Sequence, residues 1–325
     1  MTNSYNVLLH EMEASYSELH AEGKKPYSLY EPIVYTLSSG GKRVRPVLAL
    51  MAASLYSEQI ESVIPVAHAL ETFHNFTLLH DDIMDNSPTR RGNPSVQVKY
   101  GLSQAILSGD AMFAIAINSL AQADEKKLPF LLKAFSKMAL DIMKGQQMDM
   151  DFEKESAISL SDYFTMIRLK TAVLFSAALE LGAYAAGASE EDCHSIAESG
   201  IAIGIAFQLR DDYLDVYGDD KTLGKPIGGD IEENKKTWLS IRAHEIATES
   251  GDDTYSKMLS LTDPVEKYNA VRAYYDKCGL PEEGEQYIRE YTQKALAELD
   301  KLHPSCAEAK ESLREIYLLL AGRKL

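Results

Sequence analysis

The stretch VAHALETFHNFTLLHDDIMD, residues 66–85, follows Pro65 and runs twenty residues without a glycine or a proline. Proline at its head suits the first turn of a helix. Ser87 and Pro88 then stop it. The helical period continues on both sides of this run. Tyr30, Ile33, Val34 and Leu37 recur at i, i+3, i+4 and i+7, one apolar face of a helix. Pro46 again stands where an opening turn tolerates it. Ser103 is placed to cap QAILSGDAMFAIAINSLAQA. Further runs are expected from Leu128 to Phe152, from Ser161–Asp162 to Ala186 with Gly187 as terminator, and from Glu190 to Val216. A breaker-rich insertion, YGDDKTLGKPIGGDIEEN at 217–234, precedes KKTWLSIRAHEIA, where the helical pattern resumes. No alternating five-residue strand bounded by turns is found. The expectation is an all-α chain, a single domain over residues 1–325, built as a helical bundle of ten or more helices.

Composition narrows the function. Lys and Arg number 33 against 49 Asp and Glu, a net charge of −16. A chain so acidic lacks the basic face that nucleic acids require. The three cysteines, Cys193, Cys278 and Cys306, are too scattered for a zinc knuckle or a disulfide framework. The N-terminus has no basic segment ahead of an apolar one, and no run of about 18 apolar residues could span a bilayer. A cytoplasmic protein is expected.

Two segments carry the chemistry. Asp81-Asp82-Ile83-Met84-Asp85 and Asp211-Asp212-Tyr213-Leu214-Asp215 share the pattern DDxxD. On a helix, positions i and i+4 share a face, so Asp81 stands one turn from Asp85 and Asp211 one turn from Asp215. Apolar residues lead into both motifs. Carboxylates at the end of such helices need a counter-charge. A hard cation such as Mg²⁺ supplies it and takes one or two carboxylates together with phosphate oxygens. Cations cluster beside the acids. Gly40-Gly41-Lys42-Arg43-Val44-Arg45-Pro46 sets three of them in a glycine loop entering a helix, a favourable setting for an anion. Arg90-Arg91-Gly92 follows the first motif. Lys225 and Lys235 follow the second. Metal-bridged carboxylates with cations on the remaining charge suit a diphosphate.

GGKRVRP (40–46), HNFTLLHDDIMDNSPTRRG (74–92), GQQMDMDFE (145–153), KTAVLF (170–175), FQLRDDYLD (207–215) and GKPIGGDIEENK (224–235) together resemble the trans-isoprenyl diphosphate (polyprenyl) synthases. The resemblance covers roughly residues 40–240. It implies a helical bundle around a deep central cavity, with Mg²⁺ as cofactor and a homodimer as the assembly. It also implies that isopentenyl diphosphate condenses with an allylic diphosphate. By the same resemblance Asp81, Asp85 and Asp211 bind metal. Asp82, Asp212 and Asp215 act through metal-bound water or by orienting their neighbours. Arg90, Lys170, Lys225 and Lys235 hold the allylic diphosphate. Lys42, Arg45, His74 and Arg91 hold that of isopentenyl diphosphate. Thr171 and Gln208 sit near the developing cation. His74 lies seven residues before Asp81, two turns along one face; His68 and His80 are taken as structural.

Phe76, five residues before Asp81, would lie roughly 7–8 Å deeper along the helix. With Thr77 beside it, it resembles the floor of short-chain members, which make farnesyl or geranylgeranyl diphosphate; the alternative is a longer-chain polyprenyl diphosphate synthase, whose relatives tend to carry small residues at both positions. The first motif lacks the two-residue insertion frequent in the bacterial farnesyl type. A class I terpene cyclase would replace the second DDxxD and would not need Lys42, Arg45 and His74. A non-catalytic subunit would have no need of intact motifs. A basic C-terminus, Arg323 and Lys324, is a weaker candidate for covering the site.

Overall fold

The computed structural model describes residues 3–18, 23–218 and 227–322. Helices dominate, and the chain groups into two compact units. The first comprises residues 1–137, 177–197 and 301–316; the second 138–176, 198–300 and 317–325.

The first unit contains α1 (Asn3–Glu18), α2 (Tyr27–Ser38), α3 (Val44–Ser54), α4 (Ile64–Met84), α5 (Val96–Tyr100) and α6 (Leu102–Leu120). It also takes parts of α7 (Leu128–Phe152), α9 (Val173–Ala186), α10 (Glu190–Tyr217) and α16 (Ala307–Gly322). Helix α3 is buried on nearly every side, from Val44 through Ala53 with Arg45 excepted, as befits a helix inside a core. Gly182 of α9 lets the α3 backbone approach: a Cβ there would stand 2.1 Å from the Ala49 carbonyl oxygen. Gly109 of α6 makes room for a side chain of α4, since its Cβ would stand 2.2 Å from His80 Nε2.

Helix α4 follows the sequence expectation closely, with Pro65 in its first turn. Two helix starts do not. Ser103 lies inside α6, because Gly101, at φ +89°, ends α5 and opens α6 in a single residue. Helix α8 (Leu160–Ile167) begins before Ser161. Ser159 is its cap: the Ser159 hydroxyl accepts from the Asp162 amide at 3.1 Å, and the Asp162 carboxylate accepts from the Ser159 amide at 3.3 Å. Gly187, at φ +97°, follows α9 as expected.

A short ladder was also not legible. Thr89–Arg90 (β1) pairs antiparallel with Asn93–Pro94 (β2). Arg91 and Gly92 both have positive φ, +53° and +75°, the twist a two-residue hairpin turn requires.

The second unit contains the rest of α7, α9, α10 and α16, together with α8, α11 (Gly229–Glu232), α12 (Trp238–Ser250), α13 (Thr254–Leu259), α14 (Pro264–Lys277) and α15 (Leu280–Asp300). Arg210 binds both Glu285 oxygens at 2.5 and 2.8 Å and donates to the Ala321 carbonyl at 2.8 Å, tying α10 to α15 and α16. Between α8 and α9, residues Arg168–Ala172 form one π-helical turn. Such turns insert a residue and are frequent at functional sites. Two glycines admit it. A Cβ on Gly145 of α7 would stand 2.3 Å from the Lys170 amide nitrogen, and one on Gly204 of α10 would stand 2.6 Å from Ala172 Cα. No helix among the described residues is long and apolar enough to cross a membrane.

Two outcomes follow for stability. Gly145→Ala forces a methyl into backbone and should cost roughly 1–3 kcal/mol, read as a lower urea midpoint with an unchanged m-value. Burial pushes the buried His68 imidazole down to about 4. The unfolded chain takes up that proton below about pH 6.5 and the folded chain does not. Stability is therefore complete above that pH and falls as the pH drops towards 4. Between pH 7.5 and pH 5, His68→Gln should lose about 2 kcal/mol less than the parent in urea unfolding.

Candidate active site

In the first unit the site is built on α4 and on the two loops at its flanks. Asp81 and Asp85 are one turn apart, with the Asp85 amide donating to the Asp81 carbonyl at 2.9 Å. Asp81 is partly exposed and Asp85 exposed. Asp82 points the other way and is buried. Its carboxylate accepts from Arg90 Nε at 2.9 Å and from Arg90 Nη2, while Gln97 donates to its carbonyl at 2.7 Å. Arg90 Nη2 also lies 3.8 Å from Asp81. Asp82 thus aims Arg90 beside the exposed pair.

The glycine loop divides its cations. Arg43, at φ +50°, turns inwards. It binds buried Glu71 at 2.6 Å and donates to the Leu37 carbonyl. Glu71 also accepts from Asn75 Nδ2 at 2.8 Å. Arg43 is therefore a pin, and removing either partner would strand a buried charge. Lys42 stays exposed, and its carbonyl accepts from the Tyr5 hydroxyl. Arg91 reaches back across the chain to donate to the Gly40 carbonyl. Its guanidinium lies where a Cβ on Gly41 would stand 2.9 Å away, and Gly41 adopts φ +131°. Glycine is needed there for both reasons.

Arg45 and His74 complete the wall. Burial, with the nearby Arg91 charge, pushes the Arg45 guanidinium down to about 10, although Glu71 opposes the shift. Burial holds the His74 imidazole well below its usual range, and the fields of Arg45, Arg91, Arg90 and Arg43 add to that. Guanidiniums crowded in this way repel one another, and an anion would relieve them.

Phe76, also on α4, is buried in an aromatic cluster. It stacks on Phe113 of α6 at 5.4 Å between centroids and meets Phe73 at 5.4 Å and His80 at 4.8 Å. Thr77 donates back to the His74 carbonyl at 2.8 Å. The sequence reading did not single out Phe113; an aromatic inside an apolar helix carries no periodic mark of its own.

In the second unit the π-helical turn presents Lys170 and Thr171. Lys170 Nζ lies 2.5 Å from Asp149 Oδ2 of α7. Thr171 donates to Gln208 Oε1 at 2.9 Å, and Gln208 Nε2 donates to Asp212 Oδ1 at 2.9 Å. Tyr163 of α8 donates to Asp212 Oδ2 at 2.5 Å. Of the three acids in the second motif, Asp212 and Asp215 are buried, while Asp211 is partly exposed. Asp215 Oδ2 accepts from the Asp230 amide at 3.0 Å, fixing the loop that carries Lys235. Lys235 lies 3.5 Å from Glu233 and 4.0 Å from Asp230. Lys225, Arg323 and Lys324 lie outside the described residues. Asp149 sits inside the quoted GQQMDMDFE motif, yet only its pairing with Lys170 reveals a role. Tyr163 had no signal in the sequence.

A divalent cation fits the donor set. In the first unit Asp81 and Asp85 offer hard oxygens with part of their surface open, while Asp82 is turned to a protein donor; in the second unit Asp211 is partly open, while Asp212 and Asp215 are turned to protein donors. Among the described residues no three His, Cys, Asp or Glu side chains gather on one point. A pair of carboxylates suits Mg²⁺, which keeps positions for phosphate oxygens.

Comparison with known proteins agrees. The family model described as polyprenyl synthetase matches residues 26–277. A short chain isoprenyl diphosphate synthase of Methanocaldococcus jannaschii is 44% identical over 227 residues, 70% of this chain and 69% of that one. A geranylgeranyl diphosphate synthase of Sulfolobus acidocaldarius is 38% identical over 297 residues, 81% of this chain and 90% of that one. A crystal structure of a geranylgeranyl pyrophosphate synthase superposes with a TM-score of 0.91 at 39% identity, covering 99% of both chains. With its glycine loop, acidic pair and flanking arginines in place, the chain belongs to the polyprenyl synthetase family.

Proposed function

We propose that this chain is a prenyltransferase that joins isopentenyl diphosphate head-to-tail to an allylic diphosphate, releasing diphosphate and a short all-trans prenyl diphosphate. One observation carries the reading: Arg43, Arg45, Arg90 and Arg91 act together on His74, on the same helix that presents Asp81 and Asp85. Cations crowded at one end of a helix and paired carboxylates beside them suit a metal–diphosphate substrate.

Asp81, Asp85 and Asp211 would hold Mg²⁺, which when bound supplies positive charge to the diphosphate leaving group. Arg90, Lys170, Lys225 and Lys235 hold the allylic diphosphate. Arg90, Lys170 and Lys235 lie against Asp82, Asp149 and Glu233, and a diphosphate offers them more acceptor oxygens. Lys42, Arg45, His74 and Arg91 hold isopentenyl diphosphate. The allylic C–O bond breaks and its electron pair leaves with diphosphate. The isopentenyl double bond then forms the new C–C bond to the allylic carbon. A proton is lost to the departing diphosphate, which restores a double bond. Thr171 and Gln208 direct oxygen lone pairs to the developing cation. Phe76 is the floor against which the growing chain stops, backed by Phe113. The chain acts as a single catalytic unit in the cytoplasm. The exposed Leu102, Ile106, Leu107 and Ile117 of α6 offer an apolar face to a second copy, consistent with a homodimer.

The test is product analysis. With Mg²⁺, isopentenyl diphosphate and dimethylallyl, geranyl or farnesyl diphosphate, chromatography should show farnesyl or geranylgeranyl diphosphate. An allylic diphosphate alone should give no hydrocarbon, which a cyclase would make. Asp81→Asn should slow turnover by about 10²–10³-fold, measured in the same assay. Phe76→Ala should lengthen the product; an unchanged chain-length distribution would remove Phe76 from the floor.

A further inference from the structure

Four side chains of the second unit form one directed chain of hydrogen bonds. The Tyr163 hydroxyl donates to Asp212 Oδ2 at 2.5 Å. Asp212 Oδ1 accepts from Gln208 Nε2 at 2.9 Å. Gln208 Oε1 accepts the Thr171 hydroxyl proton at 2.9 Å. Tyr163 and Asp212 are buried, so the chain runs from the core outwards to Thr171, which is partly exposed.

The direction of these bonds matters more than their number. A carboxylate only accepts, and an amide has one accepting end and one donating end. Asp212 therefore selects the nitrogen of Gln208. The Gln208 oxygen is left for Thr171, whose single proton is committed to it. Towards its open side Thr171 presents lone pairs. Were the amide reversed, its N–H₂ would face Thr171 and the hydroxyl proton would be released outwards. Beside a nascent cation the two arrangements have opposite sign.

Tyr163 holds the selecting group still. It occupies the second carboxylate oxygen, which keeps Asp212 from rotating towards other donors. Burial first, and the Asp212 charge next, push the Tyr163 hydroxyl well above its usual range, so it remains a donor. The backbone beneath Thr171 is equally constrained, since Gly145 and Gly204 admit the π-helical turn from two helices.

We propose that Tyr163 is a positioning residue: through Asp212 it sets the orientation of the Gln208 amide, and so turns the Thr171 oxygen's lone pairs towards the developing allylic cation. This rests on the role given to Thr171 above.

A double-mutant cycle tests it. Tyr163→Phe and Thr171→Val should each lower kcat by about tenfold, the worth of one misdirected hydrogen bond, with KM for both substrates within about twofold. Because Tyr163 acts only through Thr171, the double variant should be no slower than Thr171→Val alone. Thr171→Ser keeps the hydroxyl and should recover most of the turnover lost in Thr171→Val, and with it the sensitivity to Tyr163→Phe. Should Tyr163→Phe fail to fold, Asp212→Asn opens the same cycle with the tyrosine in place, and the Mg²⁺ concentration dependence is expected to stay parental. Independent effects that multiply in the double variant, or a parental kcat in Tyr163→Phe, would overturn the relay alone. A parental kcat in Thr171→Val would overturn the role of Thr171 and the relay with it. An inactive parent would instead count against the prenyltransferase reading and thereby against both.

Discussion

Glu71 is one buried carboxylate set against three arginines. It neutralises Arg43 by direct contact at 2.6 Å and acts on Arg45 and Arg91 through its field. Two consequences depend on that imbalance. The glycine loop is locked to α4, because a buried pair cannot be opened without stranding a charge. Beside these arginines the His74 imidazole is held well below its usual range by burial and by their fields. A wall of this kind is expensive to fold around and favourable for a dianionic or trianionic ligand. The net charge of −16 belongs to the chain as a whole, whereas the local field here is positive.

The second motif uses the opposite economy. Two of its three acids face into the protein, one fixing the Gln208–Thr171 pair and the other the loop ahead of Lys235. Only Asp211 is left partly open. In the first motif too, one acid of three, Asp82, is turned inwards, where it aims Arg90. The DDxxD pattern thus combines solvent-facing and inward-turned carboxylates on one turn. The spacing alone separates i from i+4 and cannot say which acid faces which way.

Much of the architecture was legible. A long run without a breaker marked α4, and apolar helical periodicity marked α7, α9 and α10 in spite of their internal glycines, because that periodicity is a local property. The helix starts at Gly101 and Ser159 were missed by one or two residues. Gly101 serves as the end of one helix and the start of the next, and Asp162 reads as a cap when it is the third helical residue, closing a capping box on Ser159. The π-helical turn was invisible. Its cause is non-local: Gly145 and Gly204, more than twenty residues away on either side, admit its backbone.

The sequence by itself determined the helical class, the acidic and basic clusters, and the family they resemble, since each depends on residue type and short spacing. Tertiary structure alone decided what each charged group is for. Arg43 became a buried pin on Glu71 while Arg45, two residues on, stands beside His74 and Arg91, and Tyr163 reaches the second acidic motif through a hydrogen bond to a residue 49 positions away. Burial and the direction of a donated proton are set by what packs against a side chain, and no local pattern in the chain records them.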